Sequence, residues 1–549
     1  MSPGQRDLDR RIARLAVPAL GAILAEPLYN LADTAIVGHL GRAPLDALAI
    51  ATSALSIVAW LAIFLSTATT TEVARNAARG AHDAAGRAVG AAYSVAAGWG
   101  ALTCAVVVLI APLLVSVLGG HAGVGSAAVG YIRISALGMP FLYLSYAGNG
   151  HSIGLEDTRT PLAIAVGANA VNVVLEVTFV FGLHLGLPGS AWGTVAAQAL
   201  AALAYAAASR RSPVPPLRPL RRDIAAVLRD GHRLSARTVA LGVVPLAATA
   251  VAARLGAVPL AGQQVAYRLW GMLSLATDAL AVPAQVFVSA ALGRGDHAAA
   301  RSTARRTLVL GLAVGCGLGV VTALLALFAP ALFTGDPLVR RAAVTGLLWS
   351  AATQPLAALA YVYDGVILGL GDYAAMRRAM IIAIFAFAPL ACLVLRFHWL
   401  GLPGVWAALG CWLAARTVLL WRRWARAGAP PSPVGGDPEL DGHGQAGQGH
   451  DDPQDGDRKV AHQALPGVPA GQEAGRQQRD ERPVHRREEG EDRGGHQVRR
   501  AGDHVLDRVH PDQRLGQGGG ERGEQQHAAG RPEVAEVDGH ARDHGQPAP

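Results

Sequence analysis

The chain has 549 residues, of which 51% are apolar and 16% are charged, against roughly 25% charged residues in an ordinary soluble domain. A mean hydropathy of +0.30 over this length excludes a wholly disordered protein and argues against a soluble enzyme. Aromatic residues make up only 5% of the chain, so its apolar part is mainly Ala, Leu and Val, which suit closely packed membrane helices. The four cysteines lie inside apolar runs at spacings that match no metal motif, so neither a disulfide framework nor a zinc site is predicted.

The formal net charge of +8 divides into two unlike parts. Residues 1–432 carry 33 Lys and Arg against 17 Asp and Glu, whereas residues 433–549 carry 15 against 23. The second part also holds 10 of the 18 His residues and contains no Phe, Tyr, Trp, Ile, Met, Cys, Ser, Thr or Asn. Because such a composition cannot bury a core, residues 431–549 are predicted to form a disordered tail.

This tail uses a restricted alphabet. After residue 432, every residue except Lys459 is of a type that a codon beginning with G or C can encode. A shifted reading frame in a GC-rich gene would produce this alphabet, so we hypothesise that 431–549 is out-of-frame translation. A genuine disordered tail and a His-rich metal-binding tail are the alternatives, and the scattered positions of the His residues disfavour metal binding.

The first 430 residues divide into long apolar segments, each near the roughly 20 residues that a helix needs to cross a bilayer. These segments predict an all-α integral membrane protein with twelve transmembrane helices. The predicted spans lie near residues 14–37, 45–71, 88–118, 126–149, 160–183, 187–208, 234–254, 258–290, 304–333, 342–366, 378–398 and 401–421.

Arginine is distributed unevenly among the connections between these spans. Most arginines lie at the N-terminus, in every second connection and at the end near 422–426. The other connections hold Arg42, Arg254, Arg340, Arg341 and Arg396. By the positive-inside rule, both termini are expected in the cytoplasm, which requires an even number of spans. The expected location is the plasma (inner) membrane.

The two sets of six spans are related by a constant offset in residue number, which we call the repeat offset. The segment Leu185–Gly189 recurs at Leu400–Gly404. At the same offset, the pattern Gly-x-x-x-Gly-Leu-x-Asp at Gly150–Asp157 recurs at Gly365–Asp372. No gap is needed to align the halves, which indicates an internal duplication.

Six spans per repeat give both halves the same orientation, so a pseudo-twofold axis along the membrane normal is expected to relate them. We predict a first six-helix lobe over 1–208, a cytoplasmic linker over 209–223 and a second six-helix lobe over 224–430. A cleft is expected between the two lobes.

Ionisable residues inside a bilayer are costly and mark functional sites by default. In the first lobe these are Glu26, Asp33 and Glu176. Glu26 and Asp33 are seven residues apart and share a helix face, as do Asn172 and Glu176, which are four apart. At the repeat offset from Asp33, Asn172 and Glu176, the second lobe holds Ala248, Phe387 and Ala391. A single proton or cation site is therefore predicted in the first lobe, with solvation at a helix end as the alternative for Glu26 or Asp33.

Two prolines, Pro18 and Pro27, fall in the same first helix, where each removes a backbone hydrogen bond and permits a kink. Protonation of Asp33 is therefore predicted to be coupled to helix bending, with an ordinary first-turn proline as the alternative for Pro18. In the second lobe, Arg268 and Asp278 are expected either to line the cleft or to fix helix packing.

Nucleotide-handling motifs are missing from the sequence. No G-x-x-x-x-G-K-[ST] occurs and Lys is absent before Lys459, which excludes an ATP-driven pump within this chain. No nucleophile–base arrangement or zinc-protease motif is present, so no enzyme activity, cofactor or nucleic-acid partner is expected. The expected partners are the lipid bilayer and a small organic compound.

Several short segments together resemble the multidrug and toxic compound extrusion (MATE) family. They are Leu28–Asp33 followed by Leu40 and Gly41, and the two Gly-x-x-x-Gly-Leu-x-Asp segments. Thr69–Thr71 before Arg75, with Ala266–Trp270, is similar to the DNA-damage-inducible F (DinF) branch. The resemblance covers about residues 10–425 and none of the tail.

The resemblance implies efflux of cationic or amphipathic compounds in exchange for H⁺ or Na⁺. Carried over by position, Asp33 matches the family's first-helix carboxylate and Pro18 its first-helix proline associated with bending. Asn172 matches the fifth-helix amide and Thr194 the sixth-helix hydroxyl. Glu176 stands where many relatives have Asp, and its longer side chain favours proton coupling over Na⁺ coordination.

The resulting hypothesis is a secondary-active antiporter that works by alternating access and prefers protons to Na⁺. A Na⁺ ion would be held by Asp33, Asn172, Glu176 and Thr194, while Tyr29, Arg268 and Asp278 are candidates for the cleft. A lipid-linked precursor flippase of the same superfamily is one alternative, although such proteins often have more helices and a basic central cavity. A non-transporting membrane sensor or scaffold is another, but it would not need buried acids in one lobe only.

Overall fold

The computed structural model describes residues 3–119 and 124–427, and these residues contain helices and no strand. The helices are α1 (Pro3–Gly38), α2 (Arg42–Leu61), α3 (Phe64–Ala78), α4 (His82–Val117), α5 (Val124–Ala136), α6 (Met139–Gly154), α7 (Arg159–Val177), α8 (Leu187–Arg211), α9 (Arg221–Leu255), α10 (Ala257–Gly293), α11 (His297–Phe333), α12 (Pro337–Leu370), α13 (Tyr373–Arg396) and α14 (Gly401–Ala427). A π-helical turn, Thr178–Gly182, extends α7, and a 3₁₀ turn, His398–Leu400, precedes α14. The predicted tail over 431–549, with the hypothesis about its reading frame, lies outside the described residues.

These helices make up twelve membrane-length spans. Helices α2 and α3 together form one span, Arg42–Ala78, and α5 and α6 form another that is bent by 46°. Each of the other spans is one long helix, to which the π-helical turn is added in the α7 span and the 3₁₀ turn in the α14 span. Every predicted span coincides with one of the twelve, which confirms the predicted fold class. Most of the helices extend past the predicted ends because their backbone hydrogen bonding continues beyond the apolar stretch that must lie in hydrocarbon.

The internal repeat extends to the ends of the helices. Helix α3 ends at Ala78, and α10 ends at Gly293, which lies at the repeat offset from Ala78. The glycines that turn the chain after these helices, Gly80 and Gly295, have the same left-handed φ of 75°. The lobes differ at two places, because the breaks between α2 and α3 and between α5 and α6 have no counterpart in the continuous helices α10 and α12. The first lobe, α1–α8, is called the N-lobe below, and α9–α14 the C-lobe.

The repeated Gly-x-x-x-Gly pattern is a surface for close helix packing. A Cβ added at Gly150 would lie 2.3 Å from the carbonyl oxygen of Ser66, so α6 lies directly on the backbone of α3. A Cβ added at Gly365 would lie 2.3 Å from the carbonyl oxygen of Ala281, which is the equivalent contact of α12 with α10. Such close approach is how helices associate in a bilayer, where lipid tails are as apolar as Leu.

The segment between the lobes is shorter than the predicted linker and packs against the N-lobe. Helix α8 continues to Arg211 and α9 begins at Arg221, which leaves residues 212–220 outside the helices. Within it, the Leu217 amide donates a hydrogen bond to the Gly86 carbonyl of α4 at 2.9 Å. The glycine one turn later, Gly90, lets the Leu217 backbone lie directly on α4.

The repeated glycine contact leads to a stability prediction. Gly150→Ala and Gly365→Ala should each lower the free energy of unfolding by about 1–3 kcal/mol, because the added methyl group meets a backbone oxygen that cannot move away. Thermal unfolding of the purified protein in detergent measures this. Gly98→Ala is the matched control, since Gly98 lies in α4 with open space around its Cβ position. Unchanged stability in both contact variants would contradict the packing described here.

Candidate ion-coupling site

A polar cluster lies inside the N-lobe, toward the C-terminal end of α1. Asp33 is 4% exposed, and its Oδ1 accepts a hydrogen bond of 2.8 Å from the hydroxyl of Ser190 on α8. Helix α8 can approach α7 at this level because position 193 is glycine. A Cβ at Gly193 would lie 3.2 Å from the Glu176 amide nitrogen and 3.4 Å from Asn172 Oδ1.

Glu176 and Asn172 complete the centre of the cluster from α7. Both are buried, Glu176 completely and Asn172 at 4% exposure. The Glu176 carboxyl faces the Asp33 carboxyl and the Ser190 hydroxyl. Neither carboxyl oxygen of Glu176 accepts a hydrogen bond from the described residues, and Asn172 Oδ1 is also without a donor there. Two carboxyl groups so close together disfavour each other's charged form, which makes the cluster a candidate site for a proton or a positive ion.

Two tyrosines border these acids. The Tyr29 hydroxyl, one turn before Asp33 on α1, is 2.9 Å from Thr194 Oγ1. Thr194 in turn donates to the Ser190 carbonyl at 3.2 Å. The hydroxyl of buried Tyr131, on α5, faces Ser190. The structure therefore brings Asp33, Asn172, Glu176, Thr194 and Tyr29 together.

Sequence reasoning missed Ser190 and Tyr131. Neither residue has a carboxyl group, so neither stands out in an apolar helix as Asp33 and Glu176 do. One signal was present, since the position at the repeat offset from Ser190 holds Val405 and the position at the repeat offset from Tyr131 holds Gly346. Both residues therefore belong to the set of polar residues in the first lobe whose repeat equivalents are apolar or small.

The same positions in the C-lobe form a hydrophobic core. The equivalents of Tyr29, Asp33, Asn172, Glu176, Ser190 and Thr194 are Val244, Ala248, Phe387, Ala391, Val405 and Leu409, which all belong to one buried apolar cluster. The space beside Gly346, the equivalent of Tyr131, is occupied by the Trp406 side chain. The asymmetry in the sequence therefore has a structural meaning. The positions that build the apolar core of the C-lobe hold polar groups in the N-lobe.

Glu26 and the two prolines of α1 lie apart from this cluster. Glu26 is exposed and lies within electrostatic range of Tyr146 on α6. Pro18 and Pro27 are both inside the continuous helix α1. Between them, the Asn169 amide of α7 donates to the Ala25 carbonyl at 2.9 Å, which ties α1 to α7. The predicted coupling of protonation to bending of α1 stays a prediction.

The C-lobe holds a different buried group of charges. Asp364 on α12 lies between two arginines and accepts hydrogen bonds from Arg237 of α9, at 2.7 Å, and from Arg416 of α14. Asp364 and Arg416 are each 1% exposed. The carboxyl of Asp278 on α10 is within electrostatic range of all three residues. Arg268 is exposed and takes no part in this group.

Polar contacts between the lobes concentrate on the side of the bundle where the chain starts. Asp9 of α1 accepts two hydrogen bonds of 2.5 Å from Arg306 of α11. Arg75, at the end of α3, donates to the Leu370 carbonyl at 2.8 Å. Gln285 of α10 donates to the Thr67 carbonyl at 2.8 Å. We call these contacts the interlobe seal. The polar cluster around Asp33 and Glu176, called the N-lobe cluster below, lies in the opposite half of the bundle.

A family model named MatE matches the chain over residues 18–178 and 238–394, one match in each lobe and more than half of the chain together. The chain belongs to the MATE family. It is therefore a MATE family transporter, as the resemblance of its motifs predicted. The two matched segments follow the internal repeat, and the tail lies outside both of them.

Known MATE proteins are similar to this chain over most of its length. Protein DETOXIFICATION 44, chloroplastic, from Arabidopsis thaliana is 32% identical, over 78% of this chain and 84% of that protein. DNA damage-inducible protein F from Escherichia coli (strain K12) is 27% identical, over 76% of this chain and 93% of that protein. A solved structure, described as the outward-facing conformation of a multidrug resistance MATE family transporter, shares the fold with a TM-score of 0.70. It is 19% identical and covers 78% of this chain and 98% of the solved chain.

The charged group of the C-lobe gives a second stability prediction. Asp364→Asn should lower the free energy of unfolding by about 3–5 kcal/mol, because it leaves two arginines of the protein interior without their counter-charge. Thermal unfolding in detergent measures the loss. Asp336→Asn is the control, since the exposed Asp336 caps α12 and Asn caps a helix equally well. If both variants unfold at the wild-type temperature, Asp364 does not compensate the arginines.

Proposed function

We propose that this MATE transporter is a secondary-active antiporter that expels small organic compounds in exchange for protons. The observation that carries the proposal is the N-lobe cluster, in which the completely buried Glu176 carboxyl faces Asp33 and accepts no hydrogen bond from the described residues. Buried acids of this kind in membrane proteins serve as proton or ion relays.

Protons suit this cluster better than Na⁺. Two facing carboxyl groups can share one proton, and the shared proton removes the repulsion between them. The neighbouring oxygens of Asn172, Ser190 and Thr194 could contribute to a Na⁺ site. Glu176, however, reaches further from α7 than Asp would, which crowds a cation between the two helices. We therefore assign H⁺ as the coupling ion.

The transported compound is proposed to be cationic or amphipathic. Glu26 is an exposed carboxylate on α1 with no salt bridge to any described residue, and Tyr146 offers an aromatic ring near it. A carboxylate with an aromatic neighbour attracts an organic cation by charge and by the cation–π interaction. Proton binding at Asp33 and Glu176 would then compete with retention of the cation.

The arginine distribution supports a cytoplasmic position for both termini, in the plasma membrane. In that orientation the interlobe seal closes the cytoplasmic side, and the N-lobe cluster lies in the half of the protein nearer the outside. The structure would then represent an outward-facing state. Breaking the seal while the lobes close on the other side would give the inward-facing state of an alternating-access cycle.

The transport proposal is tested with residues 1–430 in everted vesicles. Uptake of a fluorescent organic cation should follow an imposed pH gradient, and Asp33→Asn should reduce it to the background of empty vesicles, because the amide cannot carry the proton. Glu176→Gln should have the same effect. Asp46→Asn is the matched control, since Asp46 is an exposed carboxylate of α2 outside the cluster; its uptake should equal that of the wild type.

Other outcomes of this experiment are equally informative. Uptake driven by a Na⁺ gradient and not by pH would retain the antiporter and reverse the choice of ion. If no cation moves under either gradient and a lipid-flipping assay responds instead, the flippase replaces the proposal. Wild-type uptake in Asp33→Asn would remove the N-lobe cluster from the mechanism.

The interlobe seal can be tested separately by cysteine labelling. Ala284 is completely buried on α10, in the apolar cluster that contains Ile12 and Leu15 of α1. In a background without the four native cysteines, Ala284→Cys should react slowly with a membrane-impermeant maleimide added to everted vesicles. Asp9→Asn should speed this labelling about fivefold, the ratio that corresponds to roughly 1 kcal/mol of lost interaction.

Asp7→Asn is the control for the labelling experiment. Asp7 lies on the same helix, but its ion pair, 3.7 Å to Arg10, stays within α1. Equal labelling rates in the Asp9 and Asp7 variants would show that the contact of Asp9 with Arg306 does not hold the lobes together.

A further inference from the structure

A groove of about 380 Å³ opens on the outer face of the C-lobe. Helix α12 forms its floor, while α11 and α14 form its walls. It is distant from the cluster of Asp33 and Glu176, since all of its lining residues belong to the C-lobe. No step of the proposed transport cycle uses it. We call it the α11–α14 groove.

The lining of this groove changes from polar to apolar along its length. At the end nearer the interlobe seal it is lined by Arg305 of α11, Tyr363 of α12 and Trp424 of α14. One to two helical turns deeper, Leu312 and Leu359 replace the polar side chains. Arg305 and Leu312 are seven residues apart on α11, which corresponds to a depth of about 10 Å.

The charge of the groove is positive and uncompensated. Arg305 is exposed and makes no salt bridge within the described part of the chain, and no acidic residue lines the groove. Trp421, one turn from Trp424, is 50% exposed on the same wall. Tryptophan and tyrosine with an apolar body and a polar edge are typical of the level where lipid headgroups meet hydrocarbon. Basic pockets between membrane helices at this level bind anionic headgroups.

We propose that the α11–α14 groove binds one anionic phospholipid from the leaflet on the side of the N-terminus. The phosphate lies on the Arg305 guanidinium, and an acyl chain follows Leu308 and Leu312 into the hydrocarbon. A free phosphate would satisfy Arg305 but would leave the apolar half of the groove unused. A zwitterionic lipid would fill the apolar half but brings its own cation to Arg305. An anionic lipid complements both parts.

Quenching of tryptophan by brominated lipids tests this binding. Dibrominated phosphatidylglycerol or matched dibrominated phosphatidylcholine is titrated into the purified full chain in detergent, and Trp421→Phe/Trp424→Phe subtracts the other tryptophans. Phosphatidylglycerol should quench these two tryptophans at about fivefold lower mole fraction than phosphatidylcholine, because one arginine near the surface contributes roughly that factor.

Arg305→Gln should bring the two lipids to equal mole fractions at half quenching. Arg422→Gln is the matched control, because Arg422 is an exposed arginine at the same end of α14 that does not line the groove, and it should keep the preference. Equal quenching by both lipids in the wild type, or a preference that survives in Arg305→Gln, overturns the proposal. Displacement of the brominated lipid by glycerol phosphate as readily as by unlabelled phosphatidylglycerol would assign the groove to free phosphate instead.

Discussion

The fold depends on direct backbone contact between helices. In lipid there is no hydrophobic gain in bringing two apolar helices together, so association relies on close packing and on polar contacts. The equivalent glycines Gly150 and Gly365 each place one helix on the backbone of another, in the same way in both lobes. Gly193 does the same beside Glu176, where it allows α8 to close over the acids. The cluster of Asp33 and Glu176 therefore depends on the same close packing that builds the bundle.

The two lobes share one helical arrangement but place opposite kinds of side chain at its central positions. In the C-lobe the central positions hold a continuous apolar core that includes Phe387 and Trp406. In the N-lobe the same positions hold carboxyl, amide and hydroxyl groups around Asp33. Burying such groups costs free energy, a cost that the apolar core of the C-lobe does not carry at the same positions. The asymmetry agrees with the proposal of a single coupling site, because a symmetric protein would carry two.

The buried carboxyl groups of the two lobes also differ in their partners. Asp364 in the C-lobe has two arginines as partners and holds α9, α12 and α14 together. Glu176 in the N-lobe has no cationic partner among the described residues. Asp364 ties three helices together by accepting hydrogen bonds from two arginines, whereas Glu176 makes no such contact among the described residues. Two acids that are buried to a similar extent therefore differ in their partners. This difference supports the proposal that Glu176 takes part in ion coupling.

The sequence alone determined the number of spans, the repeat and the first-lobe acids Asp33 and Glu176, because hydropathy, a fixed offset and rare charges are local or periodic signals. The tertiary structure decided which polar groups meet. Ser190 and Tyr131 join Asp33 only through the packing of α5 and α8 against α1 and α7. Asp364 acquires its role from Arg237 and Arg416, which are 127 and 52 residues away in the chain. Contacts between residues so far apart in the chain depend on how the helices rotate and approach one another. A periodic sequence pattern contains no information about either.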